Sequence, residues 1–237
     1  MRRLVKICVW IAILGGAGWL ALQWMRAHPQ HVPFAPLKLS HPIGYATQGK
    51  IIALGDSFSE CQHILRDGGV KFQALPTKGS GSCVADQQTR LTNQKAFPVG
   101  LAPAGVAPSC PVSTALVLWQ REIVQPAAQA HFGKKVTAMR HMGSYNCRNV
   151  AGQSYRSEHA TGNAIDIAAF TLEGGTTISV LKGWESNDPA VRAFLRQVRD
   201  GGCQLFSTVL SPDYNKAHAD HFHLDMAARP ADYAICR

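Results

Sequence analysis

The chain has no long run of lysine or arginine, no Cys-x-x-Cys spacing, no internal repeat, and no small-x-small cleavage site after its one long apolar stretch. Each absence excludes something. The net charge of +9 over 237 residues is dispersed. That counts against nucleic acid as a partner and leaves anionic lipid or an anionic wall polymer. Without Cys-x-x-Cys, the seven cysteines do not form a thiolate metal site. Without a repeat, the length suits one ordinary domain plus an appendage, or two small ones. The apolar stretch ends in Gln23, Trp24, Met25 and Arg26, none of which suits a signal peptidase, so it reads as a retained anchor rather than a cleaved leader.

That stretch is the clearest feature of the N-terminus. Arg2, Arg3 and Lys6 precede an uncharged run from Ile7 to Met25. The run is just long enough to span a bilayer, for which about 20 mostly apolar residues are needed. Positive residues ahead of a span stay in the cytoplasm, which places the remainder on the far side. Trp24 suits the membrane interface. The expected organisation is an anchor over 1–27, an extended Pro/His-rich linker over 28–49, and a domain over 50–237. His28 to Pro42 alone holds four prolines and three histidines.

Cysteine usage agrees with export. Cys8 lies in the membrane run. The even number that remains (Cys61, Cys83, Cys110, Cys147, Cys203 and Cys236) predicts three disulfides. The pairing Cys203–Cys236 is the one we single out, since it would tie the end of a helix to the C-terminus.

Periodicity supplies the elements. Apolar positions Ala115, Leu116, Leu118, Trp119, Ile123 and Val124 recur at helical spacing within 112–129. A strand over 135–141 leads into a turn at Gly143–Tyr145, and a second strand covers 163–170. Asp188 can cap a helix over 188–200, with Pro189 in its first turn and Val191, Phe194, Leu195 and Val198 as its stripe. Further strands are expected at 205–210 and 221–226. The fold class that follows is α+β, with an antiparallel central sheet flanked by helices and stapled by disulfides.

Two segments concentrate chemistry: Ser157–Asp166 (SEHATGNAID) and His218–Asp225 (HADHFHLD). A catalytic zinc site takes three protein ligands, His nitrogen or carboxylate oxygen, and leaves a fourth position open. His159 and Asp166 can supply two ligands from a loop and the strand after it, with Gly162 permitting the tight return. His223 supplies the third from a separate strand, where alternation puts His221 on the same face. Three histidines and two aspartates in eight residues, interleaved with Phe222 and Leu224, do not read as a solvated surface. Asp220, His218 and His221, in that order, are candidates for the base that takes a proton from the attacking water. Arg148 is the candidate cation for a developing oxyanion or a substrate carboxylate. Ser157 either orients substrate or caps a loop, and Asp225 reads as a support behind the ligands.

The segment SEHATGNAIDI resembles the SxHxxGxAxD pattern of the D-Ala-D-Ala carboxypeptidase and LAS-type zinc peptidases, and HFH resembles their HxH element. The span from about Cys61 to Cys236 is similar to the extensin-like C-terminal domain of proteobacteria, through CRNV, SEHATGNAIDIAAF, FSTVLSPDYNKAHADHFHLDM and the terminal Cys236–Arg237. The resemblance implies Zn2+ on His159, Asp166 and His223, and a peptidoglycan-peptide substrate in the periplasm. Carboxypeptidase relatives place Glu three residues before the last ligand, where this chain has Asp220; a related endopeptidase group has a His five before it, where His218 stands. The expectation is therefore a zinc hydrolase of peptidoglycan peptides, held on the inner membrane by a single span. The alternative is a non-catalytic wall-binding or metal-sensing module that keeps the site.

Overall fold

A computed structural model of the chain describes residues 1–230 and 233–237. Among the described residues there are seven α-helices: α1 (Arg2–Ala27), α2 (Thr47–Ala53), α3 (Phe58–Asp67), α4 (Cys110–Trp119), α5 (Gln125–Phe132), α6 (Val180–Gly183) and α7 (Pro189–Gly202). The strands are β1 (Phe72–Ala74), β2 (Thr89–Leu91), β3 (Gly100–Ala102), β4 (Val136–Gly143), β5 (Ala164–Leu172), β6 (Thr177–Ser179), β7 (Thr208–Leu210), β8 (Phe222–Asp225) and β9 (Ile235–Cys236). Strands β1 and β2 form a small ribbon. The main sheet runs β3-β4-β5-β8-β7-β9, with β6 also pairing β5.

The α+β class holds, with one correction. The inner pairs β4–β5, β5–β8 and β7–β8 are antiparallel, but the outermost pairs β3–β4 and β7–β9 are parallel. The sheet is therefore mixed. Both parallel strands are short edge pieces that return to the sheet from distant parts of the chain.

Local chemistry explains the helices that carry the core. In α7 the Asp188 carboxylate accepts from the Ala190 N–H at 2.8 Å, Pro189 occupies the first turn, and Phe194, Leu195 and Val198 are buried. Helix α4 is capped by Ser109, and every one of its residues is buried, as expected of a central helix. The expected single helix over 112–129 is instead α4, a π-turn at Gln120–Val124, and α5. The Gln125 N–H reaches back five residues to the Gln120 carbonyl, one position before Pro126. Proline cannot donate to the carbonyl four residues behind it, and the wider turn absorbs that loss.

The helices pack on one face of the sheet. Ile165, Ile167, Phe222 and Leu224 point into that layer and are fully buried. Trp119 meets Phe170 and Phe206 edge-on, at 5.8 and 6.1 Å between ring centroids, and its indole N–H donates to the Val198 carbonyl. The opposite face carries the alternate residues, among them Asp166 and His223, which stand directly across from each other in the β5–β8 ladder.

All six cysteines of the domain are paired: Cys61–Cys110, Cys83–Cys147 and Cys203–Cys236. The last joins the end of α7 to β9, as the sequence suggested. Helix α1 is long and apolar enough to cross a membrane, and none of it is buried. The segment 28–49, expected as an extended linker, is packed onto the domain. Val32, Leu39 and Thr47 are buried, the Ala46 N–H donates to the Gln30 carbonyl, and the Lys50 ammonium donates to the Pro29 carbonyl.

Candidate metal centre

The first ligand candidate, His159, sits on a short 3-10 turn, Glu158–Thr161. Ser157 caps that turn, its Oγ accepting the His159 N–H. Of the two roles considered for Ser157, the structure displays the cap. Gly162 ends the turn with a left-handed φ of 70°, and a Cβ there would lie 2.2 Å from the Gln88 amide nitrogen. The left-handed φ selects glycine, and a side chain there would also have to displace the end of Gln88. The Gly162 carbonyl then accepts from the Ser109 N–H and the Ser144 hydroxyl, fixing the loop to the start of α4 and the end of β4.

His159, Asp166 and His223 converge. The His159 Nε2 lies 3.2 Å from Asp166 Oδ1 and 3.1 Å from His223 Nδ1, and His223 Nδ1 lies 3.0 Å from Asp166 Oδ1. The far side of each imidazole is committed. His159 Nδ1–H donates to the Ser144 carbonyl at 2.6 Å, and His223 Nε2–H donates to Asp225 Oδ2 at 3.1 Å. With those protons placed, the three atoms that face one another are all acceptors, an arrangement that requires a shared proton or a cation between them. An equilateral triangle of about 3.1 Å has its corners about 1.8 Å from its centre. Zn–N and Zn–O bonds of roughly 2.0–2.2 Å are compatible with that spacing. The donor set therefore fits zinc.

Without an ion, a proton held on His223 fills that place. Burial pushes the His223 pKa down, but its bonds to Asp166 and Asp225 outweigh this and hold it up at about 9. Burial raises the Asp166 carboxyl, yet its bonds to His159 and His223 bring it far below the usual carboxylate range. Asp225, buried behind His223, also accepts from the Ser207 hydroxyl and the Ala227 N–H, while Arg229 stands 3.9 Å away.

The other candidates lie around this cluster. His221, at the entrance to β8, is buried, and its Nε2 is 3.6 Å from Asp166 Oδ1. Its Nδ1–H donates to the Asp220 carboxylate at 2.8 Å. Asp220 thus turns toward His221 rather than toward the three ligands, and His221, placed last among the bases by sequence, stands nearest to them. His218 packs its ring 5.2 Å from His221 and 6.0 Å from His223, with Nδ1–H donating to Asn215 Oδ1. Burial, followed by the charges of His221 and His223, lowers the His218 pKa to about 4, so this imidazole is neutral at physiological pH. Arg148 is exposed on the loop after Cys147, close enough for its charge to act on His218. Tyr214 covers the outer side of His218 edge-on.

Two contributors escaped the sequence reading. One is the Ser144 carbonyl, a main-chain group without a residue-type signal. The other is Glu158, whose burial raises its carboxyl pKa and whose carboxylate accepts from the Asn163 amide at 2.7 Å. The only sequence hint for Glu158 is its place beside His159.

No curated protein and no solved structure matches this chain. A family model described as extensin-like protein C-terminus matches residues 59–237, which takes in every ligand candidate, every base candidate and all three disulfides. The chain belongs to the extensin-like C-terminal family.

Proposed function

We propose that this chain is a zinc-dependent hydrolase of the LAS type, acting on peptide stems or cross-links of peptidoglycan in the periplasm. One observation carries the reading: three acceptor atoms of His159, Asp166 and His223 meet at 3.0–3.2 Å while the protons of both rings are bound on the far side. The SxHxxGxAxD and HxH resemblance supports the assignment to peptide hydrolysis. The three disulfides, the apolar helix and the net charge of +9 support an exported protein that meets an anionic wall.

A divalent ion at this site would acidify a water and polarise a substrate carbonyl. The residues around it divide the remaining work. His159 and His223 are held in one tautomer by the Ser144 carbonyl and Asp225. His221 has a lone pair on Nε2, beside Asp166, and its Nδ1–H is held by Asp220. It can therefore accept the proton of the attacking water at Nε2, with Asp220 stabilising the imidazolium that results. The proton taken up at His221 Nε2 is then the one available to the leaving amine, while His218, neutral and with an unprotonated Nε2, can accept a hydrogen bond from the substrate. Arg148 provides the cation for an anionic group of the substrate.

The test is digestion of purified peptidoglycan by the intact protein, with and without chelator, read by mass spectrometry of released fragments. His221→Ala should lower turnover by about 10²–10⁴-fold with its zinc retained, the usual contribution of a general base. Wild-type protein that holds zinc and binds peptidoglycan, but releases nothing from it, would make the chain a wall-binding module instead.

A further inference from the structure

The segment between the apolar helix and the domain is built as a joint, although its composition reads as a spacer. The uncharged run Ile7–Met25 matches a hydrocarbon core of about 30 Å at 1.5 Å per residue, so Trp24 falls at its outer edge. From there the chain is fastened at every step. The His28 N–H and its Nδ1 both bond to the Trp24 carbonyl, at 2.9 and 3.0 Å. The Trp24 ring stacks on His28 and His31 at 4.9 and 5.8 Å. His31 in turn packs on Tyr45 at 5.1 Å and accepts the Tyr45 N–H at 3.2 Å. Lys50 and Ala46 tie the same turn to α2, and Val32 is buried beneath it.

The outer surface of this joint is unusual for a soluble face. Phe34 is 83% exposed and Tyr45 is 95% exposed, on the wall of a cavity of about 640 Å³ that Pro33, Pro36 and Leu37 also line. No acidic residue occurs before Asp56, whereas Arg26, Lys38 and Lys50 lie in and beside the joint. Six residues separate Phe34 from the end of α1, and they are folded into a turn rather than extended. Tyr45 is only two ring-to-ring steps from Trp24. Exposed aromatic rings with basic side chains, this close to the end of a span, match the headgroup layer.

We propose that residues 28–50 form a rigid seat that holds the domain against the outer face of the membrane, with Phe34 and Tyr45 in the headgroup layer of the bilayer that α1 crosses. The seat rests on the anchor reading of α1 and is independent of the zinc chemistry. It fixes the height of the domain above the bilayer, so that the domain does not swing on a tether.

The full chain, reconstituted in vesicles of three parts phosphatidylethanolamine to one part phosphatidylglycerol, tests this. Intact mass comes first: a mature chain lacking 1–27 overturns the anchor reading and the seat with it. With the helix retained, nitroxide labels are placed singly at Phe34→Cys, Tyr45→Cys and, as an exposed comparison, Tyr155→Cys, each in a Cys8→Ser background. Power-saturation measurements should show the labels at 34 and 45 several-fold less accessible to a water-soluble nickel complex than the label at 155, with oxygen accessibility raised. Labels at 34 and 45 as open to nickel as the one at 155 would refute the seat while leaving the anchor in place.

Discussion

Asp225→Asn isolates the role of a single proton. In the native site Asp225 Oδ2 accepts His223 Nε2–H at 3.1 Å, while Oδ1 accepts the Ala227 N–H at 3.0 Å and the Ser207 hydroxyl at 3.2 Å. Asparagine is the same size, but one of its two positions becomes a donor. If its oxygen stays with Ala227, its NH2 faces His223 Nε2–H, and the ring must move its proton to Nδ1, the atom that faces His159 and Asp166. If the amide flips, the NH2 faces the Ala227 N–H and leaves a buried donor unpaired, at about 1–3 kcal/mol. Either way the fold survives, since domains have roughly 5–15 kcal/mol in hand. Metal affinity should not survive intact: losing a partner behind a ligating histidine typically costs 10–100-fold, or about 1.4–2.8 kcal/mol. The assay is zinc competition against a chromogenic chelator, with circular dichroism and the disulfide state checked in parallel. A folded Asp225→Asn protein that binds zinc as tightly as wild type would refute the claim that Asp225 fixes the tautomer of His223.

Metal-free protein should lose stability as pH rises from about 6.5 to about 9. His223 has a folded pKa raised to about 9 against an ordinary 6.5, so its contribution is complete below 6.5 and gone above 9. Thermal melts across that range should show the decline without zinc and a smaller one with zinc, which takes the place of the proton; equal slopes would contradict the assignment. The double variant Cys83→Ser with Cys147→Ser should lower stability by about 2–5 kcal/mol in denaturant titrations. It should also weaken zinc binding, because Cys147 adjoins the Ser144–Asn146 segment that holds His159 through the Ser144 carbonyl and the Asn146 N–H. Unchanged zinc affinity in that variant would show that the loop is held without the bridge.

What could be read from the sequence was local or periodic. Helix α7 was legible because its cap, its first-turn proline and its apolar stripe lie within fourteen consecutive residues. That His221 and His223 share a face followed from strand alternation, whereas the pairing of Asp166 with His223 comes from the register of β5 and β8. What escaped depends on distant contacts. The parallel pairs β3–β4 and β7–β9 involve strands of two or three residues whose partners lie far along the chain, and so little pattern to read. The π-turn before Pro126 changes no residue-type periodicity. The buried side chains of 28–49 are hidden by a composition that suits an extended spacer. At the site, alternation put His221 on the ligand face, but only the 2.8 Å bond from His221 Nδ1 shows that Asp220 turns away from the ligands.

The central claim is that His159, Asp166 and His223 hold one ion, and metal content tests it most directly. Protein purified with its three disulfides intact should carry about one zinc per chain by elemental analysis, given three ligands of suitable type and spacing. His159→Ala and His223→Ala, folded with the same disulfides, should carry essentially none. A wild-type protein free of divalent metal after zinc loading, or ligand variants that retain it at full stoichiometry, would contradict the account.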